Sequence, residues 1–114
     1  GKIIWQAPLG YYKTLKSTGI NTGTENYGGA TATAGGLVFA AGTLDKLIRA
    51  FDSKNGKELW SHKLPYIGSA PPTSYEIDGE QYIVIPASGG ISLGIHYPNL
   101  VEQGDAIVAF KIQD

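Results

Sequence analysis

The chain has 114 residues, one-domain size, and its nine Lys and Arg are scattered against ten Asp and Glu for a formal net charge of −1. That charge excludes a basic field for nucleic acid or an anionic membrane surface, and the absence of Cys excludes a disulfide framework or thiolate metal site and leaves the redox compartment unread. No run approaches the roughly 18 apolar residues of a membrane span, and the first residues lack a signal-peptide pattern.

Sixteen Gly, seven Tyr and six Pro favour many turns and strands over a helical bundle, so the expected class is all-β. Gly1-Lys2-Ile3-Ile4-Trp5 opens the chain as a short strand ending on a large aromatic, and Pro8-Leu9-Gly10 stops it. No Met occurs anywhere, and Gly1-Lys2 reads as an entry into the middle of something longer. Residues 7–28 are irregular, with turn residues Thr18 to Gly23 and no apolar period, and read as a long connecting loop.

Gly28-Gly29 then opens Ala30 to Ala34, whose small and β-branched residues suit a crowded inner strand. Gly35-Gly36 turns into Leu37-Val38-Phe39-Ala40-Ala41, too continuously apolar for a surface strand. Gly42 to Asp45 turns again into a strand from Lys46 to Phe51. Next comes Ala50 to Trp60, read as strand end, tight turn and second strand. Here Asp52 accepts backbone hydrogen bonds across the turn, and Asn55-Gly56 supplies the positive-φ residues of a two-residue connection.

Pro65 ends the strand that continues through Ser61 to Leu64. Residues 70–77 and 80–86 form a hairpin around Asp78-Gly79, with Tyr82 to Ile85 as a buried strand. Residues 87–104 are a second irregular stretch, and Asp105 to Ile112 is the closing strand. No helix is expected; residues 98–103 hold a single turn at most.

Two echoes organise this order. Gly1-Lys2-x-x-Trp5 recurs as Gly56-Lys57-x-x-Trp60 after 55 residues, and Ala50-Phe51 recurs as Ala109-Phe110 after 59. A repeat of that period built from four short strands signals a β-propeller. The chain then holds about two four-stranded antiparallel blades, incomplete at both ends. Residues 1–6 are the outer strand of a preceding blade, 29–64 one complete blade, and 70–114 three strands of a final blade. Two partial sheets expose edges able to pair with other chains, including a strand-exchanged copy of this one.

Site chemistry is sparse. Gly89 to Gly94 lacks G-x-G-x-x-G spacing, Gly56-Lys57 lacks the upstream Gly of a P-loop, and no G-x-S-x-G elbow is present. His62 and His96 stand 34 residues apart without metal-ligand spacing, so no metal ligand is assigned. His62 reads as a surface residue, while His96 lies in a glycine-rich loop where functional residues are common. Asp45 sits in a tight turn between apolar strands, either capping nearby N–H groups or serving a site. Arg49 either pairs with a nearby carboxylate or carries its charge to solvent on its aliphatic stem. Trp5 and Trp60 read as packing residues.

The pattern Ala50-x-Asp52-x-x-x-Gly56-Lys57-x-x-Trp60 resembles the tryptophan-docking motif of propeller dehydrogenases that use pyrroloquinoline quinone (PQQ). With Gly28 to Phe39, Asp45 to Trp60, Gly79 to Ile85 and Gly104 to Phe110, the chain resembles the C-terminal end of their membrane-bound glucose, quinate and polyol branch. The resemblance implies an eight-bladed propeller with PQQ and Ca2+ near its axis. It implies oxidation of a sugar, polyol or other alcohol, with electrons passing to ubiquinone or a cytochrome.

It further implies a periplasmic protein, anchored to the inner membrane by segments outside this chain. Most cofactor, metal and catalytic residues would lie in other blades, which are the partners this chain needs, and the chain alone would be inactive. Asp45 matches an acidic residue near the cofactor end. The Gly-Gly-His of glucose-oxidising members is here Gly89-Gly90-Ile91, which makes Ile91 and His96 substrate-pocket candidates and removes one polar handle on glucose. Thr24 to Gly29 is placed at the same mouth. The competing expectations are a non-enzymatic propeller of PQQ-like repeats that binds proteins in the cell envelope, and a free-standing carbohydrate-binding β domain.

Overall fold

The computed structural model describes residues 1–113, with the side chains of Ile91 and Ser92 outside the described set. Among the described residues, seven strands form two antiparallel sheets. The first is a meander of β1 (Ala30–Ala32), β2 (Leu37–Ala40), β3 (Leu47–Asp52) and β4 (Glu58–Lys63), and the second orders β5 (Thr73–Ile77), β6 (Glu80–Ala87) and β7 (Ala106–Lys111). Each strand lies within or close to the stretch its sequence pattern predicts. Residues 1–6, expected as the outer strand of a preceding blade, form no strand here, because no neighbouring strand of this chain pairs with them.

The core lies between the sheets. Phe39, Ile48 and Ala50 of the first sheet, with Ala41 and Leu64 just beyond its strand ends, meet Ile83, Ile85 and Ala87 from the second. In β6 the burial alternates, with Ile83 and Ile85 sealed and Tyr82 and Val84 half-buried, because only one face meets the first sheet. Each sealed Ile or Leu contributes about 1.5–3 kcal/mol of apolar burial, against about 0–1 for an exposed ion pair such as Lys111–Glu80. Apolar contact therefore joins the sheets. The outer strand β4 is exposed throughout, His62 included. In β1, Ala30 and Ala32 are exposed and Thr31 donates to the Pro72 carbonyl.

The turns differ in an instructive way. Asp78 and Gly79 both have positive φ (53° and 78°), as a two-residue hairpin requires. The β3–β4 connection is instead five residues, Ser53 to Lys57. Asp52 N–H and C=O bond Lys57 C=O and Gly56 N–H, each at 2.8 Å, and only Gly56 has positive φ. Asn55 acts through its side chain, accepting from Lys57 N–H at 2.9 Å, and Asp52 Oδ1 accepts from Lys54 N–H at 2.8 Å. Within the ladder itself, a register shift at Ala50/Phe51 leaves Leu59 as an extra residue on β4.

Two short helices depart from the sequence reading. α1 (Lys13–Lys16) is one turn in the first long loop, and α2 (Ile91–His96) lies in the second. α2 contains Gly94, a poor helix former; Leu93, sealed against Ile67 and Val101, supplies the tertiary contact that local propensity does not. The single turn expected within 98–103 is present, with Leu100 and Val101 N–H both bonded to the Tyr97 carbonyl at 3.0 Å.

Both tryptophans pack on a Phe, in different geometries. Trp5 stacks on Phe51 at 6.4 Å, and its Nε1–H donates to the Ser53 carbonyl at 2.8 Å. Trp60 meets Phe110 edge-on at 5.1 Å. Phe51 and Phe110 occupy the same place in the repeat, so each Trp leans on the third strand of the sheet that follows it. At Gly56 a Cβ would stand 2.5 Å from the Trp5 ring, so the residue is required there by space as well as by its φ of 72°.

Candidate functional site

Antiparallel order sorts the connections between two ends. The tight turns at 33–36, 53–57 and 78–79 share one end, where Ser53 N–H bonds the Gly36 carbonyl at 2.9 Å. At the other end lie the 41–46 turn and the long loops 7–29, 64–72 and 88–105. Asp45 and His96 are both at this loop end, as are Thr24 to Gly29.

The centre of that end is Asp45. Its side chain is 1% exposed, and both oxygens are occupied. Oδ1 accepts from Thr43 Oγ1, from Leu47 N–H at 3.0 Å and from Arg49 Nη1 at 3.3 Å; Oδ2 accepts from Arg49 Nη2 and from Tyr11 N–H at 3.2 Å. The Thr43-x-Asp45 spacing makes the turn, and β3 carries Arg49 back onto it. Burial acts to raise the Asp45 pKa, but the Arg49, Thr43 and Leu47 donors and the Arg49 charge outweigh it and hold the carboxyl below its ordinary 3.8. Of the two readings of Arg49, the structure shows the ion pair: Nε also reaches Glu58 Oε1 at 2.9 Å.

Three loops attach to this turn. From the first, Thr24 Oγ1 accepts from Leu44 N–H at 3.4 Å, and Asn26 Nδ2 donates to the Ala41 carbonyl at 2.9 Å. Leu64 N–H bonds the Lys46 carbonyl at 2.8 Å, which ties in the second. From the third, Glu102 meets Lys46 Nζ at 3.3 Å, and Leu44 packs on the Ile67, Leu93 and Val101 cluster. Lys46 itself has φ 63°, a conformation L side chains rarely adopt. Gly42 (φ 95°) lies where a Cβ would be 2.6 Å from Gly28 N, so the first loop crosses the turn in van der Waals contact.

His96 is exposed at the end of α2 and is not among the residues joined at Asp45; the Ile91 side chain lies outside the described residues. The sequence reading missed Tyr11, Thr43, Lys46, Tyr97 and Glu102. Tyr97 stands near Tyr12 and Glu25 of the first loop, whose hydroxyl and carboxylate, with partial burial, push its phenol up to about 12. The Thr43-x-Asp45 pattern was a legible turn signal. Contacts between loops 50 or more residues apart had none.

Among the described residues, no three His, Cys, Asp or Glu side chains converge to hold a metal ion. Asp45 has no free lone pair directed outward, and Arg49 is shared by two carboxylates. Both side chains are thus committed to partners within the protein.

Two antiparallel sheets packed face to face, each outermost tryptophan leaning on the next sheet, define an open sector of a β-propeller. The chain belongs to the family described as PQQ: glucose/ethanol/alcohol dehydrogenase, beta-propeller domain, which residues 1–83 match. It is 42% identical to quinoprotein glucose dehydrogenase of Escherichia coli over 99% of this chain and 14% of that protein. It is 39% identical to the glycerol dehydrogenase large subunit of Gluconobacter oxydans, over 99% of this chain and 15% of that one.

Quinate/shikimate dehydrogenase (quinone) of Acinetobacter baylyi is 38% identical over 98% of this chain and 14% of its own length. Among solved structures, quinohemoprotein alcohol dehydrogenase from Comamonas testosteroni superposes with a TM-score of 0.62 at 27% identity, covering 74% of this chain and 12% of that chain. The chain thus spans about one seventh of the length of these curated relatives.

Proposed function

We propose that the chain is the C-terminal part of a PQQ-dependent dehydrogenase that oxidises a sugar, polyol or other alcohol and passes the electrons to a quinone or cytochrome. The observation that carries this reading is its similarity, over 98–99% of its length, to relatives named for glucose, glycerol and quinate. In the intact protein PQQ supplies the two-electron oxidising power, and Ca2+ accompanies it. Their ligands and the catalytic base belong to other blades of an eight-bladed ring.

The part assigned to this chain is one wall of the mouth. The loop end around Asp45 faces the cofactor, and the 88–105 loop, with Ile91 and His96, borders the substrate. Ala50, Asp52, Gly56 and Trp60, together with Trp5, act as a docking motif that fixes one blade on the next. The periplasm is the expected location, and the isolated chain is expected to be inactive. The test is dye-linked oxidation by the full-length protein loaded with PQQ and Ca2+. Turnover of at least one sugar or polyol supports the reading; no turnover across sugars, polyols and simple alcohols contradicts it.

A further inference from the structure

Resting on that reading, the geometry points to Asp45 as a positioning residue: it acts on the mouth by clamping the 7–29 loop through Tyr11 N–H, without touching substrate or cofactor. Several observations converge on this. The carboxylate is sealed and accepts five hydrogen bonds from within the protein, so no lone pair remains for a bound molecule.

Four of the five donors come from its own turn and strand, residues 43–49. The fifth, Tyr11 N–H, comes from more than 30 residues away and belongs to a loop with little regular structure of its own. That loop then runs across the turn: Thr24 N–H bonds the Leu9 carbonyl at 2.8 Å, Thr24 Oγ1 accepts from Leu44 N–H, and a Cβ at Gly10 would stand 2.8 Å from Thr43. A single anionic anchor thus holds one end of a long loop onto a turn that also carries the 64–72 and 88–105 loops. Moving that anchor shifts the first loop relative to the other two, and with it the shape of the opening.

The deciding variant is Asp45→Asn in the full-length protein. An amide offers one acceptor oxygen, which is held at the Oδ1 position by Thr43, Leu47 and Arg49. Its NH2 then faces both the Tyr11 N–H and Arg49 Nη2, so the clamp is lost, while Thr43 and Leu47 still hold the turn and Arg49 keeps Glu58 as its anionic partner. Hydrogen exchange of residues 9–26 is expected to accelerate by about tenfold or more, the scale of a lost bond to a charged acceptor. Exchange in β2 and β3 should change little.

In the loaded enzyme, KM for the alcohol should rise about tenfold with kcat and the apparent Kd for PQQ within a factor of about two, since the affected wall meets substrate. A raised Kd for PQQ at unchanged KM would overturn the proposal in favour of direct cofactor contact. Unchanged exchange at 9–26 would overturn the clamp itself. If Asp45→Asn fails to fold, Arg49→Lys, which keeps the charge but loses the fork holding both oxygens, is read by the same exchange and titration. If the wild-type protein oxidises no alcohol, the functional reading fails separately, and the exchange measurement still decides the clamp.

Discussion

Gly56→Ala tests the tryptophan contact that joins one repeat to the next. The new Cβ would lie 2.5 Å from Trp5 Cε3 and 2.7 Å from Cδ2, and the residue would keep a φ of 72°. A non-glycine residue in that conformation costs about 1–2 kcal/mol, and overpacking against a ring adds about 1–3. The combined loss, about 2–5 kcal/mol, lowers the urea midpoint by about 1–2 M for a slope typical of a chain this size.

The double mutant with Trp5→Ala separates the two causes. Without the ring only the backbone cost remains, so the penalty of Gly56→Ala should fall to about 1–2 kcal/mol, leaving a coupling energy of about 1–3. Unfolding followed by circular dichroism gives all four corners. A coupling below about 0.5 kcal/mol, within ordinary additivity, would refute the claim that Trp5 rests on this turn.

Other predictions concern the loop end. Arg49→Met strands the sealed Asp45 carboxylate and should destabilise by about 3–5 kcal/mol in urea unfolding, whereas Glu58→Gln, at a half-exposed partner, should stay within about 1. Because the folded state holds Asp45 below its ordinary 3.8, the carboxylate stabilises the fold above that value, and this contribution is lost as pH falls through the lower folded pKa. An acid titration of stability should therefore show a wild-type loss below pH 3.8 that Asp45→Asn removes. At Gly104 a Cβ would meet the Tyr66 ring at 2.1–2.5 Å, so Gly104→Ala should cost about 1–3 kcal/mol and speed proteolysis in 88–104. Unchanged cleavage would mean that Tyr66 simply moves aside.

The strands and their order were legible because short apolar runs stood between Gly- and Asp-rich turns, and the Gly-Lys-x-x-Trp echo gave the period. The two-residue turn expected at Asn55-Gly56 became five residues because the Asp52 and Asn55 side chains bond Lys54 and Lys57 N–H and close a longer connection, which no local pattern announces. Helix α2 was invisible because it depends on Leu93 finding Ile67 and Val101 rather than on its own Ile-Ser-Leu-Gly sequence. Asp45 could be singled out from its turn, but its partner Tyr11 sits in a loop without periodicity, and only the folded chain brings the two together. The strained Lys46 is equally silent, since lysine carries no preference for a left-handed backbone.

The most direct test of the whole account is an experimental structure of the intact protein with PQQ bound. The account predicts the cofactor at the end of the sheets where the 41–46 turn and the 7–29, 64–72 and 88–105 loops meet, with Asp45 still bonded to Arg49 and Tyr11. A cofactor at the opposite end, beside the 33–36 and 53–57 turns, would contradict it.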